Sequence, residues 1–144
     1  MMDIRTIDDR FSVSPQIDPA DVTELAAQGF TAVINNRPDH EESSQPEGEP
    51  IRIVADTLGL DYTAIPVTGA GFSHPQIDAM RAALDAAQGP VLAFCRSGTR
   101  STNLWALAEA KTGGDPDAIT AKAAAAGYDI RGIRPLLDAL SGKA

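Results

Sequence analysis

Short apolar segments alternate along this chain with segments of helical periodicity, and the alternation constrains the fold more than any other feature. Four segments have the composition of β-strands: residues 11–14, 31–35, 62–67 and 90–94. The last contains a continuous apolar run, as expected for a strand that is covered on both faces. Strands that alternate with helices predict an α/β fold, with a mainly parallel central sheet flanked by helices.

Helix signals occupy the intervals between the predicted strands. Ser73 and Gln76 have the spacing of a capping box, and Asp18-Pro19 and Asp115-Pro116 each pair an N-cap with a proline at the first helical position. Gly29, Gly59 and Gly127 are typical helix stops. The predicted helices cover about residues 18–28, 51–58, 73–84, 101–112, 115–126 and 135–140.

Length and charge limit the classes of protein to consider. The 144 residues are expected to form a single domain spanning residues 1–144. The formal net charge of −8 argues against nucleic acid and anionic membranes as partners. No apolar run approaches the ~20 residues of a membrane span, and the start lacks the apolar core of a signal peptide. We therefore expect a soluble, cytoplasmic protein.

Metal and disulfide chemistry are also disfavoured by the sequence. Cys95 is the single cysteine, and His40 and His74 are the two histidines. A lone cysteine excludes an internal disulfide and a Cys-rich zinc cluster, and two histidines make a His-based site improbable. No metal or other cofactor is expected.

One polar stretch, residues 38–50, stands out between the second and third predicted strands. It is acidic and nearly free of apolar side chains. A loop of this length in a compact domain is often functional or mobile. A solvated surface loop is the alternative, and the sequence does not decide between the two.

The stretch that carries chemistry is residues 90–101, which read Pro-Val-Leu-Ala-Phe-Cys-Arg-Ser-Gly-Thr-Arg-Ser. A buried strand leads directly into Cys95, and a short polar loop then leads into a helix. Ligands of open α/β sheets bind beyond the carboxyl ends of the strands, where Cys95 is expected. A lone cysteine is usually an inert core thiol. The surrounding pattern nevertheless favours a functional anion-binding loop.

The residues around the cysteine suit an oxyanion. The predicted anion-binding loop consists of Arg96, Ser97, Gly98 and Thr99. Their backbone amides can form a nest, since Gly98 permits a positive φ and the following helix adds its positive end. Arg100 can place a planar fork of donors on a tetrahedral oxyanion. These groups favour the thiolate of Cys95, a nucleophile for phosphorus or sulfur, and the Ser101 hydroxyl can hydrogen-bond it and help it leave.

Four residues separate Cys95 from Arg100, and the loop Cys-Arg-Ser-Gly-Thr-Arg-Ser is similar to the active-site loop of rhodanese sulfurtransferases. Protein tyrosine and dual-specificity phosphatases have five intervening residues, and usually a histidine before the cysteine. Phe94 occupies that position here. On the loop alone, the chain resembles a rhodanese.

The rest of the chain resembles dual-specificity phosphatases. The segments that carry this resemblance are Phe-Ser-Val-Ser-Pro-Gln-Ile from residue 11, Gly-Phe-Thr-Ala-Val-Ile-Asn-Asn-Arg-Pro-Asp from residue 29 and Leu-Asp-Tyr-Thr-Ala-Ile-Pro-Val from residue 60. With the cysteine loop and Leu-Trp-Ala-Leu at residues 104–107, they resemble one family from about Ile4 to Leu140. It is the phosphatase-like domain of the β-lactamase-hydrolase-like proteins.

The resemblance implies a protein-tyrosine/dual-specificity-phosphatase-like fold, with Cys95 as nucleophile and Arg100 as oxyanion binder. Members of that family are described as phosphatases or as sulfur transferases. Some are fused or adjacent to a metallo-β-lactamase-fold enzyme linked to sulfide detoxification. A functional link of this chain to such an enzyme is therefore an expectation.

The chain departs from dual-specificity phosphatases at the general acid. Those enzymes carry an aspartate shortly after the strand that matches residues 62–67, whereas Thr-Gly-Ala-Gly-Phe at residues 68–72 has no carboxylate. Loss of a general acid costs about 10²–10⁴-fold in rate. Asp39 is the best substitute, because it follows a strand that ends at the same edge of the sheet as Cys95. The other candidates are His40, Glu41, His74 and Asp78.

Three other residues have predicted roles in or near the site. Arg37 either adds positive charge beside Cys95 or bridges to Asp39 or Glu41. Trp105 and Tyr128 are predicted to be packing residues.

Three functions fit these observations. The first is a cysteine-dependent phosphoester hydrolase that acts through a phosphocysteine. The second is a rhodanese-like sulfurtransferase that carries a persulfide on Cys95, favoured by the short loop and the missing acid. The third is a non-catalytic module that binds an anion or senses oxidation. The expected partner is a phosphorylated or sulfur-donor small molecule or protein. We favour the phosphatase because its resemblance covers more of the chain.

Overall fold

The apolar segments predicted as strands form one five-stranded sheet in the computed structural model, which describes residues 2–142. The strands are β1 (Arg5–Thr6), β2 (Phe11–Ser14), β3 (Ala32–Asn35), β4 (Asp61–Ala64) and β5 (Val91–Phe94). The helices are α1 (Pro19–Ala27), α2 (Gly48–Thr57), α3 (His74–Ala86), α4 (Thr99–Lys111), α5 (Pro116–Ala125) and α6 (Arg134–Ser141), with a short 3-10 turn over Arg131–Ile133. None of the helices within residues 2–142 has the length and apolar character that crossing a membrane requires.

The sheet has the order β1-β2-β5-β3-β4, and only β1 runs antiparallel to its neighbour. Phe94 of β5 lies in register with Ser14 on one side and with Asn35 on the other. The carboxyl ends of β2, β3 and β5 therefore meet at one edge. The predicted α/β fold with a mainly parallel sheet is confirmed.

Helices cover both faces of the sheet, and the side chains of β5 show how. Val91 and Ala93 belong to an apolar cluster that includes residues of α3, α4, α5 and α6. Leu92 and Phe94 point to the opposite cluster, which α1 and α2 complete. All four residues are at most 1% exposed. A strand buried on both faces explains the apolar run seen in the sequence.

The helix caps follow the predicted chemistry, most clearly at Ser73. The Ser73 backbone N–H donates to Gln76 Oε1 at 2.8 Å, and Gln76 N–H donates back to Ser73 Oγ at 3.4 Å. Both bonds satisfy amides that a helix start leaves unpaired. The capping box predicted from the sequence is confirmed.

The structure differs from the prediction at the start of α2, at the end of β4 and in the presence of β1. Helix α2 begins at Gly48, inside the stretch expected to be irregular through Pro50, because a proline is tolerated in the first helical turn. Strand β4 ends at Ala64 rather than at Val67, although the Val67 N–H still bonds to the Asn36 carbonyl at 3.0 Å. Strand β1 was not predicted, since it has two exposed residues and no apolar pattern.

Leu104 of α4 and Leu136 of α6 differ in burial, so replacing each by alanine is expected to change the stability of the protein to a different extent. Leu104 is fully buried in the apolar cluster between the sheet and α3–α6, whereas Leu136 of α6 is 51% exposed. We expect Leu104→Ala to lower the free energy of unfolding by about 2–5 kcal/mol. The control Leu136→Ala should change it by no more than about 0.5 kcal/mol. Urea midpoints at constant m-value test this, and equal losses in the two variants would contradict the assignment of the core.

Candidate active site

Cys95 is the first residue beyond the central strand β5, and its side chain is fully buried. Its neighbours come from the two flanking strands. The Asn36 N–H donates to the Phe94 carbonyl at 2.8 Å, and the Gln16 N–H donates to the Arg96 carbonyl at 3.4 Å. The sheet therefore holds the cysteine from both sides at the edge where parallel strands end.

The loop after Cys95 turns back over its sulfur. The Gly98 N–H points at the Cys95 Sγ, with a nitrogen–sulfur distance of 3.1 Å. Gly98 is the N-cap of α4 and has a φ of 93°, the left-handed conformation predicted for it. The start of α4 and this amide stabilise negative charge at the sulfur.

The other loop residues shape the turn around the sulfur. The Ser97 hydroxyl lies 3.0 Å from the Thr99 hydroxyl, and the Thr99 N–H donates to Ser97 Oγ at 3.4 Å. Side chains thus satisfy polar groups on the outside of the turn. The backbone amide of Gly98 remains directed inward at the thiol.

Arg100 is held by two partners and retains one edge for a ligand. Its Nη1 donates to Glu41 Oε2 and to the Val67 carbonyl, both at 2.7 Å, and its Nη2 donates to Glu41 Oε1 at 2.8 Å. A guanidinium has five N–H donors. The two that these contacts leave, Nε–H and the second Nη2–H, share one edge and form a fork that suits an oxyanion.

Arg100 and Cys95 belong to the same electrostatic site. The hydrogen bond to Glu41 raises the pKa of Arg100, burial opposes this, and the nearby Cys95 raises the pKa further. The guanidinium and the sulfur therefore lie within electrostatic range of each other, and their roles as oxyanion binder and nucleophile stay predictions.

Glu41 is the carboxylate that reaches the loop. Its hydrogen bonds to Arg100 and then to Arg37 lower its pKa from 4.5 to about 2, against the opposing effect of burial. Since the folded pKa lies below the ordinary one, the ion pairs stabilise the fold fully above about pH 4.5. Their contribution is lost as the pH falls toward 2. Glu41, one of the acid candidates, is thus ionised at neutral pH and cannot donate a proton there.

Arg37 is the buried support behind Glu41. Its side chain is 3% exposed and donates to Glu41 Oε1 at 2.9 Å, to Glu42 Oε1 at 2.7 Å and to Gln16 Oε1 at 3.0 Å. The bridging role is confirmed for Glu41, and Glu42 is a further partner. No signal in the sequence identified Gln16, which lies two residues beyond the end of β2.

Residues 38–47 close over the loop as an acidic strap. Glu42 also pairs with Arg96, whose Nε lies 3.2 Å from the carboxylate oxygen. Gln45 holds the strap together, because its amide donates to the Pro38 carbonyl at 2.8 Å and accepts from the Glu41 N–H at 3.1 Å. The polar stretch is therefore a solvent-exposed loop that is internally organised and paired with the arginines of the cysteine loop.

Asp39 fastens the far end of the strap. Its Oδ1 accepts the backbone N–H of Gly48, the first residue of α2, at 2.9 Å. The adjacent His40 is exposed and has a positive φ of 67°. None of the hydrogen bonds described for residues 2–142 joins either side chain to the cysteine loop. The acid role of Asp39 remains a prediction, beside this structural role.

His74 and Asp78 lie elsewhere, between α3 and α4. Lys111 Nζ is 3.1 Å from His74 Nδ1 and 2.7 Å from Asp78 Oδ1. This charged contact ties the start of α3 to the end of α4. The structure assigns both residues to helix packing rather than to the thiol.

Ser101 is buried, and its hydroxyl has no hydrogen-bond partner among residues 2–142. The predicted hydrogen bond to Cys95 is therefore not formed here. Asn36 Oδ1 and Asn103 Oδ1 are likewise buried and without a partner among these residues. Asn36 directly follows β3, and its N–H bonds to the carbonyl of Phe94, the residue before Cys95. Buried polar groups are normally satisfied, so an unpaired amide oxygen at this strand end suits a site for a polar ligand.

Tyr128 contacts the loop from the C-terminal part of the chain. Its hydroxyl donates to the Ser97 carbonyl at 3.1 Å, and burial raises its pKa. A Cβ on Gly98 would lie 2.2 Å from this hydroxyl, so the glycine is required for contact as well as for φ. Tyr128 therefore supports the loop, in addition to the packing role predicted for it. Trp105 is 1% exposed and stacks on Phe11 with ring centroids 5.7 Å apart, which confirms its packing role.

The segment at the usual position of the general acid forms a small turn. The Gly71 N–H bonds to the Thr68 carbonyl at 3.2 Å, and the Ala70 N–H bonds to the Thr68 hydroxyl at 3.2 Å. Val67, the residue directly before this turn, holds Arg100 through its carbonyl oxygen. Within residues 2–142, no group of three or more His, Cys, Asp or Glu side chains is placed to hold a metal ion.

This arrangement can bind a tetrahedral oxyanion directly against a nucleophilic sulfur. The Gly98 amide and the remaining edge of Arg100 are the donors that face such a group, and the Cys95 sulfur lies under the amide. Preorganised donors of this kind stabilise charge that develops in a transition state.

Solved structures with this fold include phosphatases. A protein of Neisseria meningitidis Z2491, described as a candidate phosphatase, has a TM-score of 0.82 and 35% sequence identity over 95% of this chain and 97% of that chain. Tk-PTP in its active form has a TM-score of 0.73 over 98% of this chain and 97% of that one, with 17% identity, which shows the fold alone. The phosphatase-like fold expected from the resemblance is confirmed.

Sequence comparison identifies the family. A beta-lactamase hydrolase-like protein from Agrobacterium fabrum (strain C58) is 40% identical over 107 residues, which cover 74% of this chain. The chain spans only about 25% of that relative's length. The family model described as "Beta-lactamase hydrolase-like protein, phosphatase-like domain" matches residues 3–112, including the whole cysteine loop. The chain therefore belongs to the family of phosphatase-like domains found in beta-lactamase hydrolase-like proteins.

Proposed function

We propose that this protein is a cysteine-dependent phosphoester hydrolase. The observation that carries the proposal is the placement of the Cys95 sulfur beneath the Gly98 N–H, next to an arginine with one unoccupied edge. The phosphatase-like family and fold support the same chemistry. Fold alone does not determine function, so the site is the argument.

In the first step, the Cys95 thiolate attacks phosphorus. A sulfur–phosphorus bond forms, the bond from phosphorus to the ester oxygen breaks, and the alcohol or phenol leaves as its oxyanion. The Gly98 amide and Arg100 hold the phosphoryl oxygens as charge develops on them. The products of this step are a phosphocysteine and the departing alkoxide or phenoxide, which takes its proton from solvent.

In the second step, water attacks the phosphocysteine. The oxygen–phosphorus bond forms, the sulfur–phosphorus bond breaks, and inorganic phosphate leaves while the thiolate is restored. The Ser101 hydroxyl, buried and unpaired here, is the proposed donor to the departing sulfur. A hydrogen bond to the thiolate makes it a better leaving group.

Sulfur transfer is the second candidate, and the turn at residues 68–72 favours it. This turn holds no carboxylate, and only four residues separate Cys95 from Arg100. In this reaction Cys95 attacks the outer sulfur of thiosulfate, releases sulfite and passes the sulfur of its persulfide to an acceptor thiol. Sulfite leaves without protonation, so no general acid is needed. A functional link to a metallo-β-lactamase-fold enzyme fits this chemistry and stays a prediction.

Covalent adducts distinguish the two chemistries. We expect reduced wild-type protein, exposed briefly to 4-nitrophenyl phosphate and acid-quenched, to carry a phosphoryl group that Cys95→Ser lacks, because the sulfur is the nucleophile. Intact-protein mass spectrometry measures this, with phosphate release followed in parallel. In a second arm of the experiment, the same proteins are exposed to thiosulfate instead of 4-nitrophenyl phosphate. A one-sulfur adduct discharged by cyanide, with no phosphoryl adduct, would replace hydrolysis by sulfur transfer, and no adduct in either arm would indicate a binding module.

The missing acid predicts a strong dependence on the leaving group. We expect kcat/KM for phenyl phosphate to be lower than for 4-nitrophenyl phosphate by about 100-fold or more, because the poorer leaving group departs unprotonated. Steady-state kinetics at pH 6–7 measure the ratio. Asp39→Asn, which keeps an oxygen for the Gly48 N–H, should leave the ratio unchanged. A selective loss of phenyl phosphate hydrolysis in that variant would instead identify Asp39 as the acid.

Glu41 is expected to act as a positioning residue for Arg100. Glu41→Gln removes the ionic clamp on Nη1 and Nη2. We expect kcat and kcat/KM for 4-nitrophenyl phosphate to fall together by roughly tenfold or more, because transition-state contacts from Arg100 are lost. The matched control is Glu47→Gln, in the same strap, whose carboxylate lies at the start of α2 and has no cap hydrogen bond.

Two other outcomes have definite meanings. Faster turnover in Glu41→Gln would show that the carboxylate competes with the substrate for Arg100 instead of orienting it. An equal loss in Glu47→Gln would show that the effect comes from net charge rather than from position.

A further inference from the structure

We propose that the site accepts a single anionic group, so that its substrates are phosphomonoesters whose remaining structure is uncharged or cationic. Esters that carry a second anionic group close to the phosphate are rejected. This inference rests on the proposed hydrolase function and adds a substrate class to it.

The first argument is that the arginines of the loop already have carboxylate partners. Arg96 pairs with Glu42 at 3.2 Å, and Arg100 pairs with Glu41 at 2.7 Å. Arg37 contacts both carboxylates and is itself buried. In the part of the chain that the structure describes, the loop offers no arginine without a carboxylate partner for a second anion.

The second argument is the charge balance inside the site. Three guanidinium groups face two carboxylates, and the attacking form of Cys95 is a thiolate. The cluster of Arg37, Arg96 and Arg100 with its partners is therefore neutral before a substrate arrives. One oxyanion is accommodated by directed hydrogen bonds, whereas a second anionic group meets the strap carboxylates and the field of a chain with a net charge of −8.

The third argument concerns the opposite side of the loop, where Tyr128 supports Ser97. The cations there are also paired, Arg5 with Asp3 at 3.0 Å and Arg131 with Asp129 at 2.9 Å. An open groove runs beside the tyrosine. Its lining includes Tyr128 and Ile130 together with the ion pair of Asp129 and Arg131. Both cations on this side therefore already have a carboxylate partner, as the arginines of the loop do.

The specificity test compares two phosphotyrosine peptides of equal length. One carries lysines at the positions flanking the phosphotyrosine, and the other carries glutamates there. At low ionic strength we expect kcat/KM for the lysine peptide to be higher by roughly tenfold, with the ratio approaching one at high salt, because screening removes the effect. A ratio of one at low salt, or a preference for the glutamate peptide, overturns the inference.

A charge-matched pair of variants tests whether the strap is responsible. Glu42→Gln keeps an oxygen for Arg37 but removes the ionic partner of Arg96. We expect it to raise kcat/KM for the glutamate peptide relative to the lysine peptide by roughly threefold or more, whatever change in kcat/KM the two peptides share. The control is Asp85→Asn, which removes the same charge beside Arg81 and Val91 at the opposite edge of the sheet, and should preserve the wild-type ratio.

The outcomes separate this inference from the function on which it rests. Phosphate release from both peptides at equal rates retains the hydrolase and overturns the charge selection. A shift of the ratio in Asp85→Asn equal to that in Glu42→Gln overturns the role of the strap and retains a general field effect. No phosphate release from either peptide, with no phosphoryl adduct on Cys95, overturns both proposals.

Discussion

The buried guanidinium of Arg37 is the constraint on which the site depends. A charge that is 3% exposed must be paired and hydrogen-bonded, because an isolated buried charge is strongly destabilising. Arg37 meets this requirement with Glu41, Glu42 and Gln16. The strap therefore folds down over the sheet edge, and Glu41 arrives beside Arg100 as a consequence. The position of Arg100 is thus set partly by Arg37, through the carboxylate of Glu41 that both arginines contact.

The same loop suits two proposed chemistries, which differ in whether the leaving group needs a proton. A thiolate under an amide and an arginine is suited to attack on phosphorus or on sulfur. A phosphoester with a poor leaving group also needs a proton, and residues 68–72 supply no carboxylate. The loop length matches the rhodanese sulfurtransferases, whereas the fold matches the phosphatases. The assignment of the reaction therefore depends most on the lack of a carboxylate proton donor in residues 68–72.

Local patterns predicted the elements well, and pairwise contacts across the fold were harder to predict. The apolar run before Cys95, the Ser73 capping box and the left-handed Gly98 are each determined by neighbouring residues. The bond between Glu41 and Arg100 joins residues 59 positions apart, and no periodicity encodes such a pair. The exposed two-residue strand β1 likewise has no burial pattern to reveal it.

The candidate site residues divide in the same way, into those that local sequence predicts and those that only contacts across the fold reveal. Cys95 and Arg100 share one short segment, so their spacing was enough to bring them together. Tyr128 reaches the loop through the tertiary fold, and in the sequence it has the properties of any aromatic core residue. Asp39 and Glu41 both follow β3, but only the contacts show that one fastens the strap and the other holds the arginine.

Tyr128 ties the C-terminal part of the chain to the cysteine loop. The family model ends at residue 112, yet this tyrosine contacts the turn that follows Cys95. The same C-terminal part contributes Ile119, Ala123 and Leu137 to the apolar cluster that packs on β5. A change after residue 112 can therefore reach the loop by two routes, through the tyrosine hydroxyl and through the packing against the sheet.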